Sequence, residues 1–437
     1  MTAEDPVIAP PKGTTDTAGY QPPPRGGHYE NVLLAVLFST FGFVFFDRLA
    51  LNFLTPFFKD ELGLNNAQVG LLGGVPALTW AIAGISIGFL SDRIDRRKPL
   101  LLGAIVMFTL FSALSGIVGG LASLLLFRAL MGAAEGAVLP LSQPMMLHSS
   151  TPHRRGLNMG LLQGSSAGLL GGIVGPIVTV WLAESFGWRT AFYATVIPGL
   201  IMAVLVLKLV RDLRLRHPAT AAMDADVPDI RVAGGRLAAL RSRNVLVCLI
   251  IAVFYLTWFT TTQTFTPLYL AEVKGFGPGE LGFVLSGVGV AWVLWGALVP
   301  GISDRIGRRP AMIVFSLLAA MSPLAIIAIA SPALLFAALV VTYTGLGCFT
   351  LFMATIPAET VPRGVMATAL GLIMGTGEIV GGFVAPSLAG VLSDSFGLGA
   401  SMLVSSGAAV VVVLLSLLLV ETAPAVLERR ARRGATA

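Results

Sequence analysis

Long apolar segments recur along the whole chain and decide its architecture. Runs of about 20 residues with few charges are each long enough to cross the ~30 Å hydrocarbon core of a bilayer as a helix. Twelve such spans lie near residues 32–57, 67–90, 98–119, 122–147, 157–182, 190–210, 244–270, 280–302, 310–329, 332–356, 365–391 and 399–420. The pattern predicts an all-α integral membrane protein with twelve transmembrane helices.

One long polar and basic stretch, residues 211–243, interrupts this series and leaves six spans on either side. We therefore expect a six-helix bundle at 31–210, a cytoplasmic linker at 211–243 and a second six-helix bundle at 244–421. The first 30 residues hold six prolines and no apolar core, so residues 1–30 are predicted to be a disordered cytoplasmic tail without a cleavable signal peptide. Residues 422–437 form the predicted cytoplasmic tail at the other end.

The two halves resemble each other in sequence. Residues 91–97 read SDRIDRR and residues 303–309 read SDRIGRR, with six of seven positions identical. Further along, GGIVGP at 171–176 is echoed by GGFVAP at 381–386, in nearly the same register. Such a duplication predicts two pseudo-symmetric bundles related by an axis along the membrane normal, with a solute path between them.

Composition agrees with a lipid environment, and the placement of charge sets the orientation. The chain is 55% hydrophobic and 12% charged, with a mean hydropathy of +0.84; a soluble domain carries about 25% charged residues. With both termini cytoplasmic, 24 of the 29 Lys and Arg residues fall in cytoplasmic segments, as the positive-inside rule requires. The net charge of +6 is therefore a topology signal and not a nucleic-acid footprint. We expect a multi-pass, monomeric protein of the cell inner membrane, in contact with lipid.

Several kinds of chemistry find no support in the sequence. Cys248 and Cys348 lie in apolar runs and are interpreted as buried hydrophobic residues. The chain has no Gly-x-x-x-x-Gly-Lys-Ser/Thr loop for a nucleotide and no cluster of His, Cys and carboxylate side chains for a metal. We expect neither an enzyme nor a bound cofactor.

The two repeated loops resemble the signature loop of the major facilitator superfamily, roughly Gly-x-x-x-Asp-Arg-x-Gly-Arg-Arg. The first copy keeps the leading Gly88 but has Asp95 at the second glycine, whereas the second keeps Gly307 and has Pro300 at the first. In that family the Asp and Arg residues of the loop latch the cytoplasmic helix ends. The resemblance thus implies a cytoplasmic gate made of Asp92, Arg93, Arg96, Asp304, Arg305 and Arg308.

The role of the two gate aspartates has three interpretations. Asp92 and Asp304 could each hold a basic partner, cap a neighbouring helix N-terminus, or be solvated loop charges.

Five ionisable residues stand out well inside the predicted spans, away from their ends: Asp47 and Arg48 in the first, Arg128 and Glu135 in the fourth and Glu378 in the eleventh. Each costs at least about 2.5–3.5 kcal/mol on insertion scales, so such residues seldom persist without a role. An Arg offers a fork of donors that matches a carboxylate. Burial in a cavity of low dielectric favours the protonated form of an acid. Together these groups are the minimum apparatus for coupling an anion to a proton, the expected coupling ion.

These residues also resemble the anion:cation symporter branch of the superfamily, which includes sialic acid, galactonate and vesicular glutamate transporters. The matching motifs are Phe-Asp-Arg at 46–48, Arg128 with Glu135-Gly136, and Phe-Gly-Trp-Arg at 186–189. The resemblance implies that Arg48 and Arg128 bind the organic anion, that Gln163 contacts it, and that Asp47 and Glu135 couple protons.

The polar seventh span and the eleventh provide further candidates from the second half. Tyr255 and Gln263 could hydrogen-bond a solute, while the threonines around them are expected to bond their own helix backbone. Trp292 is interpreted as a packing or wall residue. Glu378 is either a proton-coupling acid or a packing carboxylate bonded to a neighbour, and Asp47 is either functional or a permanent partner of Arg48 or Arg128.

The leading hypothesis is therefore a secondary transporter that imports a small organic anion, such as a sugar acid, an aromatic acid or a dicarboxylate, together with protons. Spinster-type lysolipid carriers also show Asp-Arg in the first helix and Arg with Gly-x-x-Glu in the fourth, and WAIAGI at 80–85 and IPGL at 197–200 resemble them. A carrier of a hydrophobic solute, a proton-coupled drug exporter and a transporter-like sensor are the alternatives.

Overall fold

A computed structural model describes residues 21–151, 154–214, 240–361, 363–424, 426, 427 and 432. Within these residues the chain is helical and contains no strand. Its twelve membrane-length helices are α1 (Gly27–Phe58), α2 (Asn66–Gly88), α3 (Lys98–Ile117), α4 (Leu121–Ser149), α5 (Arg155–Phe186), α6 (Trp188–Leu209), α7 (Arg243–Val273), α8 (Pro278–Ile306), α9 (Arg308–Ala328), α10 (Pro332–Ala358), α11 (Thr368–Phe396) and α12 (Gly399–Ser416). The prediction of an all-α protein with twelve spans is confirmed.

The first helix begins earlier than the sequence predicted. Residues 27–30 were assigned to the disordered tail, but α1 starts at Gly27. The cause is Glu30, which is fully buried and accepts hydrogen bonds from Asn158 Nδ2 at 2.7 Å and from the Thr151 amide at 3.3 Å. These long-range polar contacts order a segment whose composition alone predicts a coil. Residues 1–20 of the predicted tail, and residues 215–239 of the predicted linker, lie outside the described residues.

The duplication in the sequence reappears in the helix geometry. In α5 the segment Ala167–Val174 is a π-helix, and in α11 the segment Gly377–Val384 is another. The two segments are offset by 210 residues, as the GGIVGP and GGFVAP repeats are. Short π-helical segments inside α-helices occur frequently at functional sites. The two bundles are therefore pseudo-symmetric in their backbone irregularities as well as in their sequences.

The two bundles meet near one face of the membrane. We call the face that carries residues 21–26 and 417–424 the tail face, and the opposite one the far face. At the far face Lys59 Nζ lies 2.8 Å from Glu272 Oε1 across the two halves. The carboxylate of Asp394 in α11 also accepts hydrogen bonds from the amides of Asn66 and Ala67 at the start of α2, at 2.9 and 3.0 Å.

Glycines allow the helices of opposite halves to approach closely. The backbones of α5 and α8 touch at Gly172 and Gly289: a Cβ on Gly172 would lie 2.5 Å from Gly289 Cα. Closer to the tail face on the same two helices, a Cβ on Gly164 or Gly296 would meet nothing within 4 Å. The tail-face ion pairs seen among the described residues each join residues of one half, as between Arg308 and Glu359. The protein is thus closed at the far face and the halves separate toward the tail face.

Replacing Gly289 by Ala is expected to open the far face, because the new methyl group would overlap the backbone of Gly172. Overpacking of this kind costs about 1–3 kcal/mol, enough to shift a two-state equilibrium. Spin labels at Glu184→Cys and Gly279→Cys should then show longer distances. Gly296→Ala on the same helix is the matched control, and equal distances in both variants would contradict this role of the glycine contact.

Candidate functional site

Arg48 lies where the two halves meet and is the centre of the candidate site. Its Nη2 atom is 3.4 Å from Oε2 of Glu378, so one ion pair joins α1 to α11. Its guanidinium carbon lies 4.7 Å from the centre of the Trp80 ring on α2, a cation–π arrangement. The Arg48 side chain is 13% exposed, whereas the Glu378 side chain is 4% exposed. A cation is therefore partly accessible at the interface, and its counter-ion is not.

The π-helical segment of α11 positions Glu378. Glu378 is the second residue of that segment, and Gly382 lies next to its carboxylate: a Cβ on Gly382 would come 2.8 Å from Glu378 Oε2 and 2.9 Å from Ala77 Cβ. The absence of a side chain at Gly382 thus leaves room for the carboxylate between α11 and α2. At the equivalent place in the first half, 210 residues earlier, stands Gly168. The acid is a feature of the second half alone.

Aromatic rings surround this ion pair. Phe45 packs edge-to-face against Trp292 of α8, with ring centres 5.2 Å apart, and Phe259 of α7 does the same at 5.5 Å. Phe45 and Trp80 are also neighbours at 6.3 Å. The predicted role of Trp292 as a wall residue agrees with these contacts. Together, Phe45, Trp80, Phe259 and Trp292 form what we call the aromatic wall, with rings contributed by both halves.

Asp47 points away from Arg48 and into the first bundle. Its Oδ1 atom accepts a hydrogen bond from Ser112 Oγ on α3, and Thr195 Oγ1 on α6 donates to that same Ser112 hydroxyl at 3.0 Å. Adjacent residues on a helix point about 100° apart, which explains why Asp47 and Arg48 contact different helices. Asp47 is 2% exposed.

Arg128, which the sequence predicted to contact the solute, is buried in this conformation, and that contact stays a prediction. No part of Arg128 is exposed. Its Nη1 atom lies 3.5 Å from the backbone oxygen of Asp47 and 3.0 Å from Met131 Sδ, and its guanidinium carbon is 4.7 Å from the centre of the Phe192 ring. Phe192 and Met131 cover the cation that the sequence assigned to the solute. In this conformation Arg128 holds α4 against α1 and α6.

Glu135 is a buried acid with unused hydrogen-bonding capacity. It is fully buried, and neither of its oxygens has a hydrogen-bond partner among the residues described. Its charge lies within electrostatic range of Asp47, Arg48 and Arg128. Glu135 therefore interacts electrostatically both with the buried Asp47 and Arg128 of the first bundle and with Arg48 of the ion pair at the interface.

The three polar candidates for solute contact lie on α5 and α7. Gln163 is half-buried in a π-helical segment of α5, Leu161–Ser165. Tyr255 packs into aromatic rings of α10, with its ring centre 4.8 Å from that of Phe352 and 5.7 Å from that of Phe349. Gln263 is buried on α7. Their role as solute ligands stays a prediction.

The gate residues of the tail face act within their own halves. Arg308 bridges Asp304, at 2.5 Å, and Glu359, which directly follows α10, at 2.8 Å. Of the interpretations open for Asp304, the structure thus shows an ion pair with a basic partner. In the first half Arg96 lies 3.4 Å from Asp212, and Arg93 and Arg305 are exposed. The side chain of Asp92 lies outside the described part of the structure.

Two acids that the sequence analysis missed cap the helices after the gate loops. Asp212 Oδ1 accepts the amides of Arg97 and Lys98 at the start of α3, both at 3.0 Å. Glu421 accepts the amides of Arg308 and Arg309 at the start of α9, at 2.7 and 3.2 Å. Both acids closely follow the last span of their half. This equivalent position in the two repeats could have identified them from the sequence.

Replacing Gly307 by Ala is expected to destabilise the second gate. Gly307 has a φ of +110°, and an added Cβ would collide with the Glu421 carboxylate. A residue forced into such a conformation costs about 1–3 kcal/mol, so we expect a lower melting temperature. Thermal unfolding in detergent measures it, with Gly301→Ala as control because a Cβ there meets nothing within 4 Å. Equal melting temperatures would show that the cap contributes nothing.

The Phe-Gly-Trp-Arg motif lies at the far face. Glu61, in the loop between α1 and α2, accepts a hydrogen bond from Trp188 Nε1 at 2.6 Å and from Arg189 Nη1 at 2.5 Å. These two hydrogen bonds, the one from Trp188 first, lower the pKa of Glu61. The contact is therefore present above the ordinary pKa of a glutamate and is lost as the pH falls through the lowered value. The motif closes the first bundle and is remote from Arg48.

Comparison with known proteins agrees with this fold. A model of the Major Facilitator Superfamily matches residues 36–386 and again residues 302–436. The probable 4-methylmuconolactone transporter of Cupriavidus pinatubonensis is 28% identical over 372 residues, 82% of each chain. The cis,cis-muconate transport protein of Acinetobacter baylyi is 23% identical over 365 residues, 83% of this chain and 87% of the relative.

A solved structure shows the same fold. It is the crystal structure of a bacterial homolog to the human lysosomal transporter Spinster, in an inward-facing and unoccupied conformation. It superposes with a TM-score of 0.72 over 90% of this chain and 97% of that one, at 18% identity. The prediction that the chain is not an enzyme is also confirmed, because its family and the relatives named above are transporters. As its two repeated loops predicted, the chain belongs to the Major Facilitator Superfamily.

Proposed function

We propose that this protein is a secondary transporter that moves a small organic anion together with protons, and that Arg48 binds the anion. The observation that carries the proposal is the Arg48–Glu378 ion pair between the two halves. Its cation is partly exposed and its anion is buried. A guanidinium presents two parallel donors to a carboxylate, so a solute anion would compete directly with Glu378 for Arg48.

The competition supplies the proton coupling. When a solute carboxylate takes Arg48, the buried Glu378 loses its counter-charge. An unpaired buried charge costs several kcal/mol, so the acid is more stable when it takes up a proton. Solute and proton are then bound in the same step. Conversely, deprotonation of Glu378 restores the ion pair and expels the solute.

The energetics of import favour such coupling. Bringing a monoanion into a cell against a negative-inside potential costs about 2.3 kcal/mol per 100 mV. One proton cancels this electrical cost, and a second proton makes the potential a driving force. Glu135 and Asp47 are the candidates for a second proton, because both are buried and Glu135 lacks a hydrogen-bond donor among the residues described.

The aromatic wall indicates the class of anion. Phe45, Trp80 and Trp292 offer flat apolar surfaces beside the cation, which suits a carboxylate attached to a planar, unsaturated or aromatic group. The two relatives are named for 4-methylmuconolactone and cis,cis-muconate. We therefore expect unsaturated organic acids to be transported in preference to sugar acids.

The orientation follows from charge. The positive-inside rule favours a cytoplasmic tail face, and we propose that the protein lies in the cell inner membrane. The conformation described above is then open to the cytoplasm, the state in which solute is released after import. We expect the transporter to act as a monomer, since a complete path lies between its two bundles.

Uptake into proteoliposomes tests the proposal. Purified protein would be reconstituted and offered labelled cis,cis-muconate, with benzoate and glucuronate as further probes, with or without an inward proton gradient. We expect accumulation of an unsaturated acid that requires the gradient and collapses with a protonophore. Accumulation that ignores the gradient would contradict proton coupling. Transport of lysolipids or cationic drugs, without transport of any carboxylate, would instead support the alternatives.

A further inference from the structure

A cavity of about 590 Å³ lies at the tail face of the second bundle, remote from Arg48. Arg243 at the start of α7 and Arg309 at the start of α9 line it, together with Ile313, Val314, Leu417 and Leu419. The cavity thus combines two guanidinium groups with apolar walls from α9 and the end of α12. Neither the gate nor the proposed solute site uses it.

The two arginines differ from most other tail-face cations that the structure describes. Arg96, Arg154 and Arg308 each form an ion pair with a carboxylate. Arg243 and Arg309 are exposed, and no ion pair or hydrogen bond of their guanidinium groups is recorded among the described residues. Their charges are available to an external anion.

The acid that also lines the cavity does not neutralise them. Glu421 accepts backbone amides of Arg308 and Arg309, and also those of Thr422 and Ala423, at 3.1 and 2.9 Å. A carboxylate that accepts several N–H groups is already compensated by the backbone. The cavity therefore keeps a net positive character.

Its position selects the kind of anion. Both arginines stand at the membrane-entry ends of their helices, which is the level of the lipid headgroups. Below them Val314 is 49% exposed and Leu417 is 46% exposed, so an apolar surface continues from the cations toward the hydrocarbon core. Basic pockets of this kind between membrane helices suit lipid headgroups. A soluble anion would gain nothing from the apolar walls.

We propose that this cavity binds an anionic phospholipid, with its phosphate between Arg243 and Arg309 and an acyl chain along Val314 and Leu417. Each guanidinium can form a bidentate contact with phosphate oxygens. The site is a lipid site on the second bundle, independent of the solute path. Because Glu421 joins the cavity wall to the start of α9, the bound lipid also contacts the element that holds the second gate.

Native mass spectrometry of the full-length protein tests the proposal. Delipidated protein in detergent would be titrated with dioleoylphosphatidylglycerol, with dioleoylphosphatidylcholine and with inorganic phosphate. We expect tight binding of phosphatidylglycerol alone, and a loss of affinity of about tenfold or more when both arginines are replaced, in Arg243→Gln/Arg309→Gln. The control Lys208→Gln/Arg211→Gln removes the same charge from exposed tail-face positions of the first half, and should bind as the wild type does.

A second variant tests the apolar wall of the cavity independently of the two arginines. Val314→Trp fills the apolar wall and leaves both arginines in place, and Val314 is exposed, so the fold should tolerate the larger side chain. Weaker phosphatidylglycerol binding in this variant supports the proposal. Equal affinity in wild type and in the double arginine variant would overturn it. So would an equal loss in the control variant, or full competition by inorganic phosphate at the lipid's concentration.

Discussion

Proteoliposomes carrying Glu378→Gln are expected to exchange solute across the membrane but to lose accumulation driven by a proton gradient. The glutamine has nearly the shape of the acid and leaves the π-helical segment of α11 intact, but it neither binds nor releases a proton. It also gives Arg48 a neutral neighbour, so the solute no longer has to displace a charge. Gradient-driven accumulation should fall by about a hundredfold, the effect of removing a coupling worth roughly 2.7 kcal/mol, while counterflow should stay within a few-fold of wild type.

The pH dependence should change in the same variant. In the wild type, solute affinity falls as the pH rises, because ionised Glu378 competes for Arg48. In Glu378→Gln that component of the pH dependence should disappear. Glu184→Gln, an exposed acid on α5, is the matched control and should retain both coupling and the pH profile. Normal gradient-driven accumulation in Glu378→Gln would assign coupling to another group.

Replacing Arg48 by Lys should weaken solute binding without unfolding the protein. Lysine keeps the charge but loses the planar fork and the stacking on Trp80. One charge-assisted hydrogen bond is worth about 1.5–3 kcal/mol, so we expect solute affinity to fall about tenfold to a hundredfold. Isothermal titration with cis,cis-muconate measures the affinity, and the melting temperature reports the fold.

Arg128→Lys provides the contrast. Arg128 is fully buried against Met131 and Phe192, so its replacement should lower the melting temperature more than Arg48→Lys does. A buried cation without its neighbours costs several kcal/mol. If Arg128→Lys instead lost affinity at an unchanged melting temperature, the assignment of solute binding to the interface would be wrong, and the resemblance to the anion:cation branch would hold at Arg128.

The sequence predicted the fold well because bilayer thickness imposes a length that every span must meet. All twelve spans were found, and the repeated loops fixed their division into two halves. Boundaries were less accurate where polar contacts continue a helix beyond its apolar core. Glu30 is the example: its partners Asn158 and Thr151 lie 128 and 121 residues further along the chain, so no local pattern could include residues 27–30 in α1.

The site was predicted residue by residue but not as an arrangement. Glu378 and Arg48 were both candidates, yet 330 positions separate them and no spacing rule connects residues of opposite halves. The sequence also did not show which of the charged side chains are buried. Arg128 and Arg48 look alike in sequence, and only packing by Phe192 makes one of them inaccessible. The capping acids Asp212 and Glu421 were missed because they lie just beyond the spans, and only charges inside the spans indicated functional residues.

The ion pair connects the two halves of the protein. Arg128 and Glu135 of α4 have no charged counterpart in α10, whereas the ion pair joins α1 to α11. It lies at the surfaces that must separate during alternating access. A coupling acid on one half and its cation on the other would tie the conformational equilibrium to protonation.

The most direct test of the central claim is the number of protons taken up when solute binds. Wild-type protein and Glu378→Gln, in weakly buffered detergent solution, would each be titrated with cis,cis-muconate while a pH indicator follows proton uptake. The account predicts that the wild type takes up about one proton more per bound solute than Glu378→Gln does. Equal proton uptake by the two proteins would contradict the claim that the anion displaces Glu378 from Arg48.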